Sequence, residues 1–294
     1  MTLPRIGLWS FQFDGLPWEQ GREVARELEE LGYGALWFPE AMGRDATVAC
    51  ALALEATERM VLATGIVPLY ARDPLTLKAA WLTLEAAFPE RFLLGIGVSH
   101  KPAVEGMRGT SYTAPLATMR EYLDRLDAAP FFARPPTTAP RRVLAALGPK
   151  MLALAAERAD GAHPYNVTPE HTAGARAAIG ADKILAVEQK AVLTTDATAA
   201  RETARRTMAM YLGLPNYANN WRRIGFGDDD LADGGSDRFL DAMVVWGDET
   251  AIRARVDEHL AAGADHVCLQ VLSADDPFGA PLEAWRRLAP ALRD

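Results

Sequence analysis

The sequence predicts an α/β fold of the (β/α)8 barrel type with an insertion over the C-terminal mouth of the barrel, and three observations carry that expectation. Short apolar runs alternate strictly with longer helical patterns along the chain. Eight such pairs fit within 294 residues, close to the size of a closed barrel. The G-x-G-x-x-G that an open dinucleotide-binding sheet carries after its first strand is missing from IGLWSFQFDG, and GIG at 95–97 lacks the third glycine.

Each element can be justified in order. RIGLW (5–9) reads as a strand, and LPWEQGREVARELEELG (16–32) as a helix with Pro17 near its first turn, Val24, Leu28 and Leu31 on one face, and Gly32 closing it. The same unit recurs as ALWFPE (35–40) with ATVACALALEATE (46–58), MVLATGI (60–66) with PLTLKAAWLTLEAAF (74–88), and FLLGIGV (92–98) with PLATMREYLDRLDA (115–128). The second half continues with RVLAALG (142–148) and KMLALAAERA (150–159), GAHPY (161–165) and PEHTAGARAAI (169–179), then ILAVEQKAVLT (184–194) and ATAARETARRTMAMYL (197–212). HVCLQVL (266–272) is the last strand, between a helix over 248–263 and a terminal helix near 281–292. Segment 213–247 is too long and too rich in Gly, Asp and aromatics for a simple connector, so it reads as an insertion within a single domain spanning 1–294. ARPPTTAPRR (133–142) reads as a surface loop.

Composition narrows the function classes. A net charge of −8 with scattered arginine pairs argues against a nucleic-acid partner. Cys50 and Cys268 lie far apart in apolar stretches, which fits two reduced thiols and no metal site. No N-terminal apolar region resembles a leader and no run approaches the ~18 apolar residues of a membrane span, so a cytoplasmic protein without a membrane partner is expected.

In a barrel the chemistry collects at the C-terminal ends of the strands. Those ends are Trp9–Ser10, Glu40, Gly65–Ile66, Ser99–His100, Gly148–Pro149, His163–Tyr165, Thr194–Thr195 and Gln270. His100 follows two glycines and is the first candidate acid–base group, with packing as its alternative role. Glu40 is the second candidate, or else the partner of Arg44 or Arg72. His163 either binds a ligand or supports the mouth; His171 and His259, on helices, are expected to be solvated, and His266 opens the last strand at the opposite end. Gly148, Pro149 and Lys150 begin a helix on the catalytic face, where free N–H groups and a mobile cation suit a phosphate, although a well-capped helix has the same pattern.

GYGALWFPE, ATGIVPLYARDP, PERFLLGIGVSH, LGPKMLALAAERADGAHPY and GADHVCLQVL together resemble the bacterial luciferase-like superfamily, specifically its branch of coenzyme F420-dependent oxidoreductases. The resemblance covers nearly the whole chain. It implies a deazaflavin or flavin lying across the strand ends, often a homodimer, and a non-proline cis peptide at Gly65–Ile66. It implies cofactor contacts from Trp9, Gly65, Ile66, Val67, Gly97, Ser99, Gly148, Pro149, Lys150, His163 and Tyr165, with His100 and Glu40 as catalytic residues. The implied activity is hydride transfer between coenzyme F420 and a small organic substrate. An FMN-dependent monooxygenase using reduced flavin and oxygen, and a barrel that binds without turnover, are the alternatives. Ala41 stands where the sugar-phosphate dehydrogenases of the family carry a histidine, which separates this chain from their proton-transfer scheme.

Overall fold

The computed structural model describes residues 2–293. Its strands are β1 (Ile6–Trp9), β2 (Ala35–Phe38), β3 (Val61–Thr64), β4 (Val67–Pro68), β5 (Phe92–Gly97), β6 (Arg141–Leu144), β7 (Gly161–Ala162), β8 (Ile184–Leu193), β9 (Val244–Gly247) and β10 (His266–Leu272). Parallel pairing runs β1-β2-β3-β5-β6-β7-β8, then from β8 to β10 and back to β1, so eight strands close a barrel. The two-residue β4 is a ledge on β5, and β9 adds to the outer half of β8.

The surrounding helices are α1 (Trp18–Glu30), α2 (Ala46–Ala56), α3 (Pro74–Ala87), α4 (Pro115–Ala128), α5 (Pro149–Arg158), α6 (Pro169–Ile179), α7 (Ala197–Leu212), α8 (Pro215–Arg223), α9 (Asp228–Leu231), α10 (Asp237–Met243), α11 (Glu249–Ala261) and α12 (Leu282–Leu292). Several begin where a short polar side chain satisfies the free N–H groups of the first turn: Asp45 for α2, Asp73 for α3, Thr168 for α6, Asp196 for α7 and Asp248 for α11. Strand β7 stops earlier than its run GAHPY: it ends at Ala162 because Pro164 follows and has no N–H for the ladder, although His163 still donates its N–H to the Leu144 carbonyl at 2.8 Å.

The period of two along each strand divides the core. Ala35, Trp37, Ala63, Leu93, Val143, Ala186 and Cys268 point into the barrel and fill it, while alternate residues such as Leu36, Leu62, Leu94, Leu144 and Val187 pack outward beneath the helices. The segment 213–247 folds into α8, α9, α10 and β9, with its own apolar cluster of Tyr217, Trp221, Phe226, Phe239 and Leu240.

His171 and His259 correct the expectation of solvated helix histidines. Both are buried: Nε2 of His171 donates to the Leu147 carbonyl at 2.9 Å, and His259 joins Thr172 to Gln189 with both contacts at 2.8 Å. Their helix faces meet the barrel, where the ring of His259 satisfies groups on two elements at once and that of His171 bonds through Nε2 alone, its Nδ1 being buried without a partner. His266 sits inside the barrel, accepting from Trp37 Nε1 at 2.9 Å and donating from Nδ1 to the Pro4 carbonyl. A second buried polar group lies on β8, where Glu188 and Lys190 share the inward face: Lys190 Nζ is 3.1 Å from Glu188, donates to Asn166 Oδ1 at 2.5 Å, and stands 3.8 Å from the centre of the Tyr165 ring. Burial pulls the Lys190 ammonium down to about 8, while Glu188 opposes that shift.

Candidate active site

A cavity of about 1230 Å³ opens at the C-terminal ends of the strands. Its shape follows from residue size. Gly65, Gly97 and Ala145 on one side of the barrel leave space, whereas Trp9 and Tyr165, whose rings approach to 5.2 Å, fill the other side. The Gly65–Ile66 peptide is cis, and Trp9 Nε1 donates to the Gly65 carbonyl at 3.0 Å. Ile66 faces the cavity as an apolar ledge.

The glycines of FLLGIGVSH serve that ledge. A Cβ on Gly97 would lie 2.6 Å from Cδ1 of Ile66, and one on Gly95 would lie 3.1 Å from its Cγ2 and 2.0 Å from the Thr64 carbonyl oxygen. Both positions must stay bare for Ile66 to lie across β5. The space they leave is occupied first by the protein itself.

Beyond β5 the backbone turns through Ser99, at φ 57°, and enters a π-type turn at Pro102–Met107 whose Val104 N–H is held by the His100 carbonyl at 3.0 Å. This brings His100 to the cavity wall, with its ring centre 5.4 Å from that of Tyr217. Its Nδ1 is buried without a partner. Burial lowers the pKa of His100 below the usual histidine value, and Asn216 on α8 partly restores it.

Most of the residues expected at the site do converge here: Trp9, Glu40, Gly65, Ile66, Gly97, Ser99, His100, Gly148, Pro149, Lys150, His163 and Tyr165 all line the cavity. Glu40 is committed to structure through one oxygen, which receives Arg72 at 2.8 Å and the Ala46 N–H at 3.0 Å. Arg44 turns instead to the carbonyls of Phe13 and Leu16. His163 lies in the floor, stacked on Trp37 at 4.3 Å, and its Nδ1 donates to the Ala186 carbonyl at 2.9 Å. A carbonyl only accepts, so Nε2 carries no proton; it is buried beneath Gly65 without a partner, and burial pushes the ring down to about 4. Val67 departs from expectation. It is fully buried in β4, in register with Ile96, within the core between sheet and helices, because the alternation beyond Ile66 turns it away from the mouth.

Four site residues had no counterpart in the sequence reading. Tyr211 and Tyr217 join Tyr165 in the wall, with the Tyr165 hydroxyl donating to Gln270 at 2.7 Å and meeting that of Tyr211 at 2.9 Å. Asn216 and Arg223 come from α8. Nη1 of Arg223 stands 3.1 Å from where a Cβ on Gly148 would be, directly over the start of α5. Gly148 offers no side chain to cap that helix and Pro149 has no N–H, so the helix start faces the cavity flanked by Lys150 and Arg223. The signal was a spacing: 216, 219 and 223 fall on one face of a helix and are polar, opposite the buried Ala218 and Trp221.

Residues 10–266 match the model of the luciferase-like monooxygenase family. The chain is 28% identical to a Mycobacterium tuberculosis protein named "Putative coenzyme F420-dependent oxidoreductase Rv3520c", over 92% of this chain and 95% of that one. Its fold is similar to that of an F420-dependent secondary alcohol dehydrogenase solved with an F420-acetone adduct (TM-score 0.77, 16% identity, 99% of both chains). It is also similar to the coenzyme F420-dependent tetrahydromethanopterin reductase of Methanopyrus kandleri (TM-score 0.76, 17% identity, 98% of this chain and 97% of that one). The closed parallel barrel and the extent of the family match make the chain a member of the luciferase-like monooxygenase family.

Proposed function

We propose that the chain is an oxidoreductase that passes a hydride between coenzyme F420 and a small organic substrate held in the same cavity. The observation that carries this reading is the joint presence, on one cavity, of the Ile66 ledge and the cation-flanked start of α5. A flat ring system fits against the first and an attached phosphate against the second. The names of the matched relatives favour the deazaflavin over FMN. Bound there, a deazaflavin supplies a carbon that gives or takes hydride and reacts poorly with oxygen.

The chain's own residues supply the rest. Arg223 and Lys150 hold the anionic end, with the α5 dipole adding to their attraction. Tyr165, Tyr211 and Gln270 satisfy one another, which fixes the wall, and His100, whose Nδ1 has no protein partner, is the group assigned to move a proton. His100 is neutral near pH 7, so it accepts the proton of an alcohol as hydride leaves and returns it in the opposite direction. Glu40, clamped by Arg72, serves as an anchor for the loop after β2.

Fluorescence titration tests the cofactor. F420 is expected to bind more tightly than FMN, and Arg223→Ala is expected to weaken F420 by roughly tenfold, the worth of one charge-assisted contact. Tight FMN binding with no measurable F420 binding would replace this reading with the flavin monooxygenase. We also propose a homodimer, supported by the exposed Val48 and Leu75 on the adjacent helices α2 and α3. Light scattering should give twice the chain mass, and a single-chain mass at micromolar concentration removes the dimer.

A further inference from the structure

The cavity exceeds the ~300–1,000 Å³ of a typical single-ligand pocket, so space remains beside a cofactor. What surrounds that space is unusual for this chain. Seven large apolar side chains are exposed among the described residues, and three of them, Met42, Met107 and Met210, stand on the rim of this cavity at 77%, 59% and 64% exposure. They arrive from separate places: the loop after β2, the turn after β5, and the end of α7. Methionine is flexible and polarisable, and exposed methionines grouped around a mouth favour adaptable apolar contact over a solvated rim.

The polar groups of the wall point the same way. The hydroxyls of Tyr165 and Tyr211 and the amide of Gln270 are bonded to one another, and Tyr112 donates to the Ser99 carbonyl at 3.4 Å. Glu40, the one carboxylate lining the cavity among the described residues, is paired with Arg72. The wall therefore offers a cationic substrate no free carboxylate, and the neutral polar side chains left to meet a substrate oxygen are Ser99, beside His100, and Tyr217 and Asn219 of α8. Lys150 and Arg223 are gathered at the start of α5; Arg108, beside Met107, is the remaining cation on the lining.

We propose that the substrate is an uncharged, predominantly apolar molecule that lies against Met42, Met107 and Met210, with a single oxygen function directed toward His100. This rests on the reading of the cavity as a joint cofactor and substrate site. It is tested on protein loaded with F420, using Nile red as a neutral apolar probe, glucose 6-phosphate as a polar anionic competitor and progesterone as a neutral apolar competitor. Nile red should bind with a fluorescence increase, and Met107→Gln/Met210→Gln should weaken it by roughly tenfold or more, since isosteric amides must be desolvated to make the same contact. Met107→Leu/Met210→Leu should retain affinity within about threefold, because it conserves apolar volume. Equal Nile red affinity in wild type and the Gln variant overturns the proposal, as does displacement of the probe by glucose 6-phosphate at lower concentration than by progesterone. Nile red binding that depends on these methionines in protein that fails to bind F420 would refute the cofactor assignment while leaving the apolar site standing.

Discussion

Replacing His100 with alanine is expected to lower turnover by roughly 10²–10⁴, the usual contribution of a positioned acid–base group, while F420 affinity changes by less than about threefold. The expectation follows from position. His100 reaches the cavity wall at the end of β5, whereas the anionic end of a cofactor is held at the start of α5 by other residues. Single-turnover reduction of bound F420 by an alcohol that wild type oxidises gives the first number, and fluorescence titration the second. In that direction the wild-type rate should fall as pH drops through the lowered histidine pKa, and the variant should lose this limb of the profile. If His100 only packs against Tyr217, the melting temperature will fall instead and turnover per folded molecule will survive.

Acid should unfold this protein well above the pH at which carboxylates protonate. His163, His259 and His266 are buried and held neutral, with pKa values pushed down to about 4, about 3 and about 4. Because the folded values lie below the unfolded value of ~6.5, the unfolded chain binds more protons at pH 4–6.5. Their contribution to stability is therefore complete above about pH 6.5 and is lost as pH falls toward 4. Each histidine forfeits about 2 kcal/mol between pH 7 and pH 5, or about 6 kcal/mol for the three, against a typical total of about 5–15 kcal/mol. Urea unfolding at the two pH values measures this directly. A difference below about 2 kcal/mol would mean that these rings are protonated in the fold or reachable by water.

Most of the fold was legible because its local signals agree with its tertiary pattern. Helices α4 and α7 occupy the residues their periodicity predicted, with Pro115 at the first helical position of one and Asp196 capping the other. The site was legible to the extent that barrel topology dictates it: strand ends converge on one mouth whatever their side chains are. Three things escaped. Glu188, Gln189 and Lys190 interrupt an otherwise apolar strand run, where alternation says that Glu188 and Lys190 share a face but not that they find each other and Asn166 inside the barrel. Arg223 reaches the α5 start across a sequence gap of 75 residues, which no local pattern encodes. Gly95 and Gly97 were visible as the two glycines before His100, but not that the group packed against them is Ile66 from a neighbouring part of the sheet.

The segment after α7 is tied to the buried ion pair of β8. Trp221 of α8 donates from Nε1 to the Asn166 carbonyl at 3.0 Å, and the Asn166 side chain in turn receives the Lys190 ammonium. Helix α8 is thus a cover over a buried ion pair as well as a wall of the cavity, and its removal would leave Lys190 and Glu188 without one of their enclosing elements. Divergence among descendants of this chain is consequently channelled: whole-segment exchange would expose the charges, whereas single changes at 216, 219 and 223 alter what the mouth admits and leave the Trp221 face untouched.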